Sequence, residues 1–536
     1  MATTRHLILG LLLLSGCLAA SGDGKKYKFL VFSPRFATSH VNFLGKVSDT
    51  LAEAGHDVVV ISPIFDPAVG SAGVKKARVI EIPQTEAMAD ANVVLRQTVD
   101  IVWEKLSALR IMDSLKNWDK LTSAWARACG DLVHHPGLLE RLRAEKFDAA
   151  YSEPLDFCGF GLFHYLGIEK VAVMNSLPTM EGRYYLTQAP VIPSYIPGMN
   201  AMSDKMTFLQ RVANFLILFL ASGTLDGNAA HAQKVFETLQ PGFPLLKEIA
   251  ANSSLVFLNS EPLVDFPRLT NHRMIDIRGI TMDQKHAKLN QTWSDIMDLR
   301  PQTVLLSFGS FAKSYLMREE FKKNIRETLR KFPDVTFIWK YEKPEDGISA
   351  GIANIVESTW VPQVDLLHDP RLSAFITHCG IGSTTEANTA GVPLLVIPLA
   401  ADQLWNAQVV KRAEIGVVVP DKEALGKEGI LEEAIRQLLG NEKYTENAAK
   451  LSRMIRDRPF AMKEILVRNM EFLAEYGPLR MLDHEGRNLN FFQFYLIDVI
   501  AFLTAIVLVV VTLIVILFKC VVSRIVQKCT RKTKTE

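Results

Sequence analysis

The chain has 536 residues, more than a single hydrophobic core accommodates, so two domains plus appendages are expected. Its 60 basic and 58 acidic residues leave a formal charge of +2, which gives no electrostatic footprint for nucleic acid and excludes that class of partner. Of the six cysteines, Cys17 belongs to an N-terminal leader, and Cys520 and Cys529 lie at or beyond a C-terminal apolar run. The remaining Cys129, Cys158 and Cys379 have no metal-ligand spacing, so at most one bridge and no zinc site are expected.

The leader carries Arg5, the apolar run Leu7 to Leu14 and small residues through Ala20 and Gly22, the layout of a cleaved secretory signal over residues 1–22. A first apolar strand, Lys28 to Phe32, precedes a helix with Val41, Leu44, Val47, Leu51 and Ala54 on one face. Gly55 ends that helix, and Val58 to Ile61 forms the next strand. Such a βαβ unit predicts a parallel sheet whose ligand side lies at the carboxyl ends of its strands.

His40 stands on that side, at the first helical position after Ser39 as N-cap. Helix polarity there is expected to depress its pKa and keep the imidazole neutral for general-base work. A capping or surface histidine is the competing reading. Residues Ala72 to Leu142 read as mostly helical. Phe147 to Tyr151 is a further strand, and its carboxyl end brings Glu153 and Asp156 to the same rim as His40. A carboxylate there suits orientation of the imidazole, with Glu153 preferred, Asp156 in reserve, and a solvated loop acid as the bland alternative. Phe208 to Leu220, densely apolar but interrupted by Arg211 and Asn214, is too short and too polar to span a membrane. It reads as a core helix, with an interfacial helix as the alternative. The polar stretch Arg278 to Arg300 reads as an interdomain linker.

A second βαβ series follows. Thr303 to Ser307 is a strand running into the tight turn Phe308-Gly309-Ser310, whose backbone can approach a phosphate. A helix from Arg318 to Lys331 and a strand from Val335 to Trp339 come next. The richest stretch runs from Trp360 to Asn406. Within it, His378, Gly380, Gly382, Ser383 and Thr384 lie between a strand, Ser373 to Ile376, and a helix that Gly391 and Pro393 terminate. Free N–H groups and the helix dipole at such a turn suit a diphosphate. Glu386, one turn into the helix, suits ribose hydroxyls as an acceptor-only carboxylate. Asp402 and Gln403 follow the strand Val392 to Ile397 and suit further hydroxyls, so the stretch reads as a nucleotide-sugar site. Helices from about Leu431 to Ala474 close this part.

Val499 to Phe518 is free of charge and, at ~1.5 Å rise per residue, covers a ~30 Å hydrocarbon core. Lys519, Arg524, Lys528, Arg531, Lys532 and Lys534 follow, so the positive-inside rule puts residues 519–536 in the cytosol and the bulk of the chain in a lumen. Lys532 and Lys534 are spaced as in dilysine retrieval signals, and a solvated basic tail on anionic lipid is the equal alternative. A lumenal location makes Asn252 and Asn290 candidate glycosylation acceptors.

Trp-Val-Pro-Gln at Trp360 to Gln363, the run HCGIGSTTE, Gly391-Val392-Pro393, and Asp402-Gln403 with Asn406 together resemble the UDP-glycosyltransferase superfamily. The leader, the apolar span and the basic tail narrow the resemblance to the membrane-bound UDP-glucuronosyltransferases of animals. The resemblance implies the α/β fold called GT-B, two Rossmann-like domains facing a cleft. An acceptor-binding domain with the base would occupy 23–285, a UDP-sugar-binding domain 286–490, and a transmembrane helix 499–518.

It also implies roles for matching positions. His40 would be the catalytic base, supported by Glu153. Trp360 would stack on uracil and Gln363 bind the nucleoside. Ser310 and His378, with the N–H groups near Gly380, Gly382 and Ser383, would hold the diphosphate; Glu386 would take the ribose, and Asp402 and Gln403 the sugar. Two positions depart from the common pattern: Glu153 where many relatives carry Asp, and Gly382 where many carry Asn. The implied reaction is inverting transfer of a sugar, foremost glucuronic acid, to a small lipophilic acceptor at the endoplasmic reticulum membrane, with a UDP-sugar co-substrate, no cofactor and no metal. Two alternatives stand beside it, a UDP-glucose-dependent glucosyltransferase and a noncatalytic nucleotide-binding partner of active transferases. Homo- or hetero-oligomers are left open.

Overall fold

Short runs such as KFLVF and DVVVISP are apolar along nearly their whole length instead of alternating, the pattern of strands covered on both faces. In the computed structural model, which describes residues 25–105, 108–178, 184–198, 200–282, 287–310 and 312–532, these runs build two parallel sheets. The first contains β1 (Lys28–Phe32), β2 (Asp57–Pro63), β3 (Arg78–Ile82), β4 (Ala149–Ser152), β5 (Val171–Asn175), β6 (Leu255–Leu258) and β7 (Met274–Asp276). The second contains β8 (Gln302–Ser307), β9 (Val335–Lys340), β10 (Ile355–Ser358), β11 (Leu372–Thr377), β12 (Leu394–Val396) and β13 (Gly416–Val418).

Their orders are β3-β2-β1-β4-β5-β6-β7 and β10-β9-β8-β11-β12-β13. Each therefore reverses direction once, between β1 and β4 and between β8 and β11, and such switch points open a crevice at the carboxyl ends of the strands. Register brings those ends level, Phe32 opposite Ser152 and Ser307 opposite Thr377.

The helices that bear on function are α1 (Thr38–Glu53), α2 (Ala108–Val133), α3 (Cys158–Tyr165), α4 (Phe208–Leu239), α5 (Gln291–Met297), α6 (Ile381–Ala390), α7 (Asp402–Ala413), α8 (Met462–Tyr476) and α9 (Ile497–Lys532). Helix α1 starts earlier than expected. Ala37, extended at φ −151°, is its N-cap and Val41 N–H already donates to Ala37 O, so Ser39 lies inside the first turn and caps nothing. The stretch read as mostly helical also contains β3, a short edge strand whose charged Arg78 and Glu81 hide its apolar alternation.

Phe208 to Leu220 does not form a core helix. It opens α4 with Phe208, Leu209, Val212, Phe215, Leu216 and Phe219 exposed. The side that faces the protein is set by the polar residue: buried Asn214 accepts from Gly198 N–H (2.9 Å) and donates to the Pro193 and Ile196 carbonyls (2.9 Å each). Leu218, one turn on, is buried with it, and the apolar remainder is left outward. The Arg278 to Arg300 stretch contains α5, capped by the Asn290 side chain, which accepts from Trp293 N–H (3.0 Å).

Alternate residues of the second sheet serve different cores. Val304, Leu306, Phe337 and Trp339 pack on one face, and Leu305, Ile338, Phe375 and Leu394 on the other. Residues from the first half of the chain enter both: Trp103 joins the former core and Phe266 the latter. Trp103 meets Phe308 edge-on (centroids 5.1 Å apart) and donates its indole N–H to Lys313 O (2.9 Å). In return α8 packs on α1, and Tyr27 donates to Glu475 (2.7 Å). One bridge joins Cys129 of α2 to Cys158 of α3, and Cys379 is buried with a free thiol.

The chain divides into two compact units, Met1–Arg480 and Met481–Glu536. The second holds α9, of which Ile497–Lys528 is, among the described residues, the one helix long and apolar enough to cross a membrane. It extends beyond the expected 499–518 because Lys519, Arg524 and Lys528 continue the same helix. The leader over 1–22 and Lys534 lie outside the described residues.

Candidate active site

The first switch point gathers His40 from α1, Glu153 from the end of β4 and Ser176 from the end of β5. Nδ1 of His40 is 2.8 Å from Glu153 Oε2 and 2.9 Å from Ser176 Oγ. Glu153 Oε1 accepts from Ser176 N–H (3.1 Å) and from the Ser176 hydroxyl. Asp156, the reserve acid, is turned elsewhere: it accepts the Cys158 N–H (2.9 Å), and burial pushes its carboxyl up to about 7. Of the two acids, Glu153 is the one bonded to the imidazole.

Burial works against a charged His40, but the charge and hydrogen bond of Glu153, with a further contribution from Asp402, outweigh it and hold the pKa above the ordinary 6.5. This reverses the expected depression by the helix terminus, because a carboxylate in contact acts more strongly than a half-charge at the first turn. Beside the imidazole, Phe36 lies against the ring (4.9 Å between centroids) and Trp125 against Phe36 (5.6 Å). Leu44 and Leu155 also line the adjoining cavity and make one side of it apolar, while Ser33, Ser152, Glu153 and Asp156 line the rest.

The second switch point holds the cradle. After β11, Cys379 adopts φ 68°, an uncommon conformation for a residue with a Cβ, and Gly380 then caps α6. His378 crosses over two glycines. A Cβ on Gly309 would come within 2.8 Å of its ring, and one on Gly380 within 2.7 Å, so a side chain at either position would push the imidazole aside. Ser310 is exposed one residue past Gly309. Burial, reinforced by Lys340, pushes the His378 imidazole down to about 4, so it is neutral. Lys340 itself, at the end of β9, donates to Gly309 O (3.0 Å) and to Glu342 (2.7 Å).

Further round the rim, Gln363 donates to Glu386 (2.6 Å) and to Ser383 Oγ (3.1 Å), so three residues expected to contact the donor are bonded to one another. Burial raises the Glu386 pKa, offset in part by Gln363. Trp360 is 71% exposed, with the Lys340 ammonium over its ring at 6.0 Å from the centroid. Asp402 begins α7, accepts from Asn406 (2.9 Å) and has its pKa raised by burial, against the pull of Asn406 and His40. Asp402 and His40, one from the rim of each sheet, influence each other's protonation electrostatically. Gln403 is only partly as expected: its amide oxygen accepts from Leu399 N–H (2.9 Å) and Ala400 N–H (3.2 Å), leaving the NH2 group for a ligand. Gly382 is exposed, and a Cβ there would meet nothing within 4 Å.

Residues 28–534 match the family model described as "UDP-glucoronosyl and UDP-glucosyl transferase". The chain belongs to this family. It is accordingly a UDP-glycosyltransferase, an enzyme that moves a sugar from a UDP-sugar. Among curated relatives, a putative UDP-glucuronosyltransferase of Caenorhabditis elegans, ugt-47, is 28% identical over 89% of this chain and 90% of its own length. Human UDP-glucuronosyltransferase 1A1 is 29% identical over 96% and 94%. Solved structures share the GT-B fold. The glycotransferase of kitacinnamycin superposes with a TM-score of 0.58 at 16% identity, covering 86% of this chain and all 100% of that one. The spinosyn rhamnosyltransferase SpnG complexed with thymidine diphosphate gives 0.52 at 18% identity, over 83% and 100%.

Ser176 and Lys340 escaped the reading of the sequence. Each ends an apolar strand, β5 or β9, and the rule that ligand sites sit at carboxyl ends was the available signal for both.

Proposed function

We propose that this UDP-glycosyltransferase transfers glucuronic acid to a hydroxyl, or similar nucleophile, of a small lipophilic acceptor, with inversion to a β-glycoside. The observation that carries the proposal is His40, bonded through Nδ1 to Glu153 and within electrostatic reach of Asp402 across from it. With Nδ1 engaged, Nε2 takes the acceptor proton as the acceptor oxygen attacks the anomeric carbon. The bond from that carbon to the β-phosphate oxygen breaks, and UDP departs with the electron pair.

Neutral His378, Ser310 and the N–H groups at Gly380, Gly382 and Ser383 receive the leaving-group charge. Trp360 stacks on uracil, Gln363 meets the nucleoside, Glu386 the ribose, and Asp402 and the Gln403 NH2 group the sugar. On this scheme residues 23–285 bind the acceptor and 286–490 the donor, and the UDP-sugar reacts without metal or cofactor. The apolar wall of Phe36, Leu44 and Leu155 suits a lipophilic acceptor. Helix α9 and its basic end support a single-pass protein of the endoplasmic reticulum with a lumenal catalytic part.

Glucuronic acid as the sugar is supported by the relatives named UDP-glucuronosyltransferases, which align over nearly their whole length. UDP-glucose is the second reading, since the family description embraces both donors. The paired base argues against a noncatalytic partner. Membranes bearing the protein, offered each radiolabelled donor with a panel of phenols and aliphatic alcohols, decide between these. Glucuronide formation is expected, exclusive glucoside formation replaces the donor, and no transfer from either removes the proposal.

A further inference from the structure

Ser176 is buried at the carboxyl end of β5, next to the strand that supplies Glu153, and its polar atoms are all directed at the dyad or at the loop that supports it. Its N–H and hydroxyl both point to Glu153 Oε1, and its carbonyl accepts from Asn259 Nδ2 (2.8 Å), which follows β6. Loop ends of three adjacent strands thus form one chain, Asn259 to Ser176 to Glu153 to His40.

A serine hydroxyl carries a single proton. Here that proton is directed to Glu153, so the Oγ presents only lone pairs to His40 Nδ1, 2.9 Å away. Glu153 Oε2, at 2.8 Å, also presents lone pairs. With the hydroxyl so placed, an unprotonated Nδ1 would face two acceptors, an arrangement that an Nδ1–H relieves without turning the hydroxyl away from Glu153. The other groups facing the imidazole are the Phe36 ring and the Asp402 carboxylate, and neither competes for Nδ1.

We propose that Ser176 is a positioning residue for the base: by holding the Glu153 carboxylate from two sides and adding a second acceptor at Nδ1, it fixes His40 as the Nδ1–H tautomer. Nε2 is then the nitrogen that accepts a proton. The inference rests on the reading of His40 as the base, yet its primary test needs no turnover.

Full-length protein in nanodiscs is labelled with 15N-histidine, and the His40 signals are assigned by their loss in His40→Gln. Above the titration of His40, the wild type is expected to show the Nδ1–H tautomer alone. Ser176→Ala is expected to bring in the Nε2–H tautomer and to shift the tautomer ratio about tenfold, the size of effect that one hydrogen bond allows. Its kcat is expected to fall about tenfold with the KM for the UDP-sugar unchanged within twofold, and Ser176→Thr, which keeps the hydroxyl, to restore both. UDP binding, which uses the other sheet, reports folding, and Ser176→Cys provides the same loss of a strong donor should the alanine variant not fold. A pure Nδ1–H signature in both variants that lack the hydroxyl, with kcat within twofold of wild type, overturns the proposal. A tautomer shift in a protein that transfers no sugar supports the positioning role and removes the transferase mechanism instead.

Discussion

Two histidines stand at the two switch points, His40 in the helix that follows β1 and His378 directly after β11, and their surroundings drive them in opposite directions. His40 touches a carboxylate and gains affinity for a proton, whereas His378 is buried over two glycines with Lys340 nearby and loses it, down to about 4. The imidazole is the same, and the neighbour decides the work. A carboxylate partner favours the charged imidazole, and burial beside a cation favours the neutral one, which matches the proposed roles of base and of hydrogen-bond donor.

The largest expected effect comes from removing the first histidine. His40→Ala should lower kcat by about 10²–10⁴, the range for a general base, while equilibrium binding of UDP measured by calorimetry persists. An active variant with unchanged donor kinetics would sink the assignment. Next, Glu153→Gln removes the charge that raises the His40 pKa. Because the base works when neutral, wild-type kcat/KM should rise with pH through a midpoint above 6.5, and the variant's midpoint should move to lower pH with a loss of about tenfold or more in kcat. The same sign governs stability: the pair's contribution is complete below the unfolded pKa near 6.5 and is lost as pH rises through the higher folded value.

His378→Ala should leave the pH profile in place, since a group near 4 does not titrate in that range, and should weaken UDP binding about tenfold by loss of one charge-assisted contact. A displaced pH profile would mean that the two histidines do not divide the work as described. The smallest effect is a gain. Gly382 has open space around it, so Gly382→Asn should fold normally and tighten UDP binding a few-fold by one added hydrogen bond, read as a lower KM for the UDP-sugar.

The cradle was the most legible part of the sequence because its signals are local: a strand, His378, two glycines, a helix and Gly391 at φ 81° follow one another along the chain. The first βαβ unit was legible for the same reason. What escaped depends on contacts distant in sequence. Ser176 acquires meaning only because β5 lies beside β4, and Gln403 turns its oxygen into its own loop because the Leu399 and Ala400 N–H groups are left unpaired there. Asn214 looked like an interruption in an apolar helix and is instead the residue that selects its inner face. At His40 the sequence points both to a helix terminus that lowers the pKa and to Glu153 as its partner, and only the contact between the two side chains shows that the carboxylate prevails.

The return of α8 to the first sheet also has a mechanical side. The residues that close the first unit are held by the first sheet's side of the molecule: Leu479 N–H donates to Ser254 Oγ (3.0 Å), and Arg480 donates to Asn252 O (3.1 Å). The last residues of the first unit are thus fastened to the first sheet beside β6, and α8 just before them to α1.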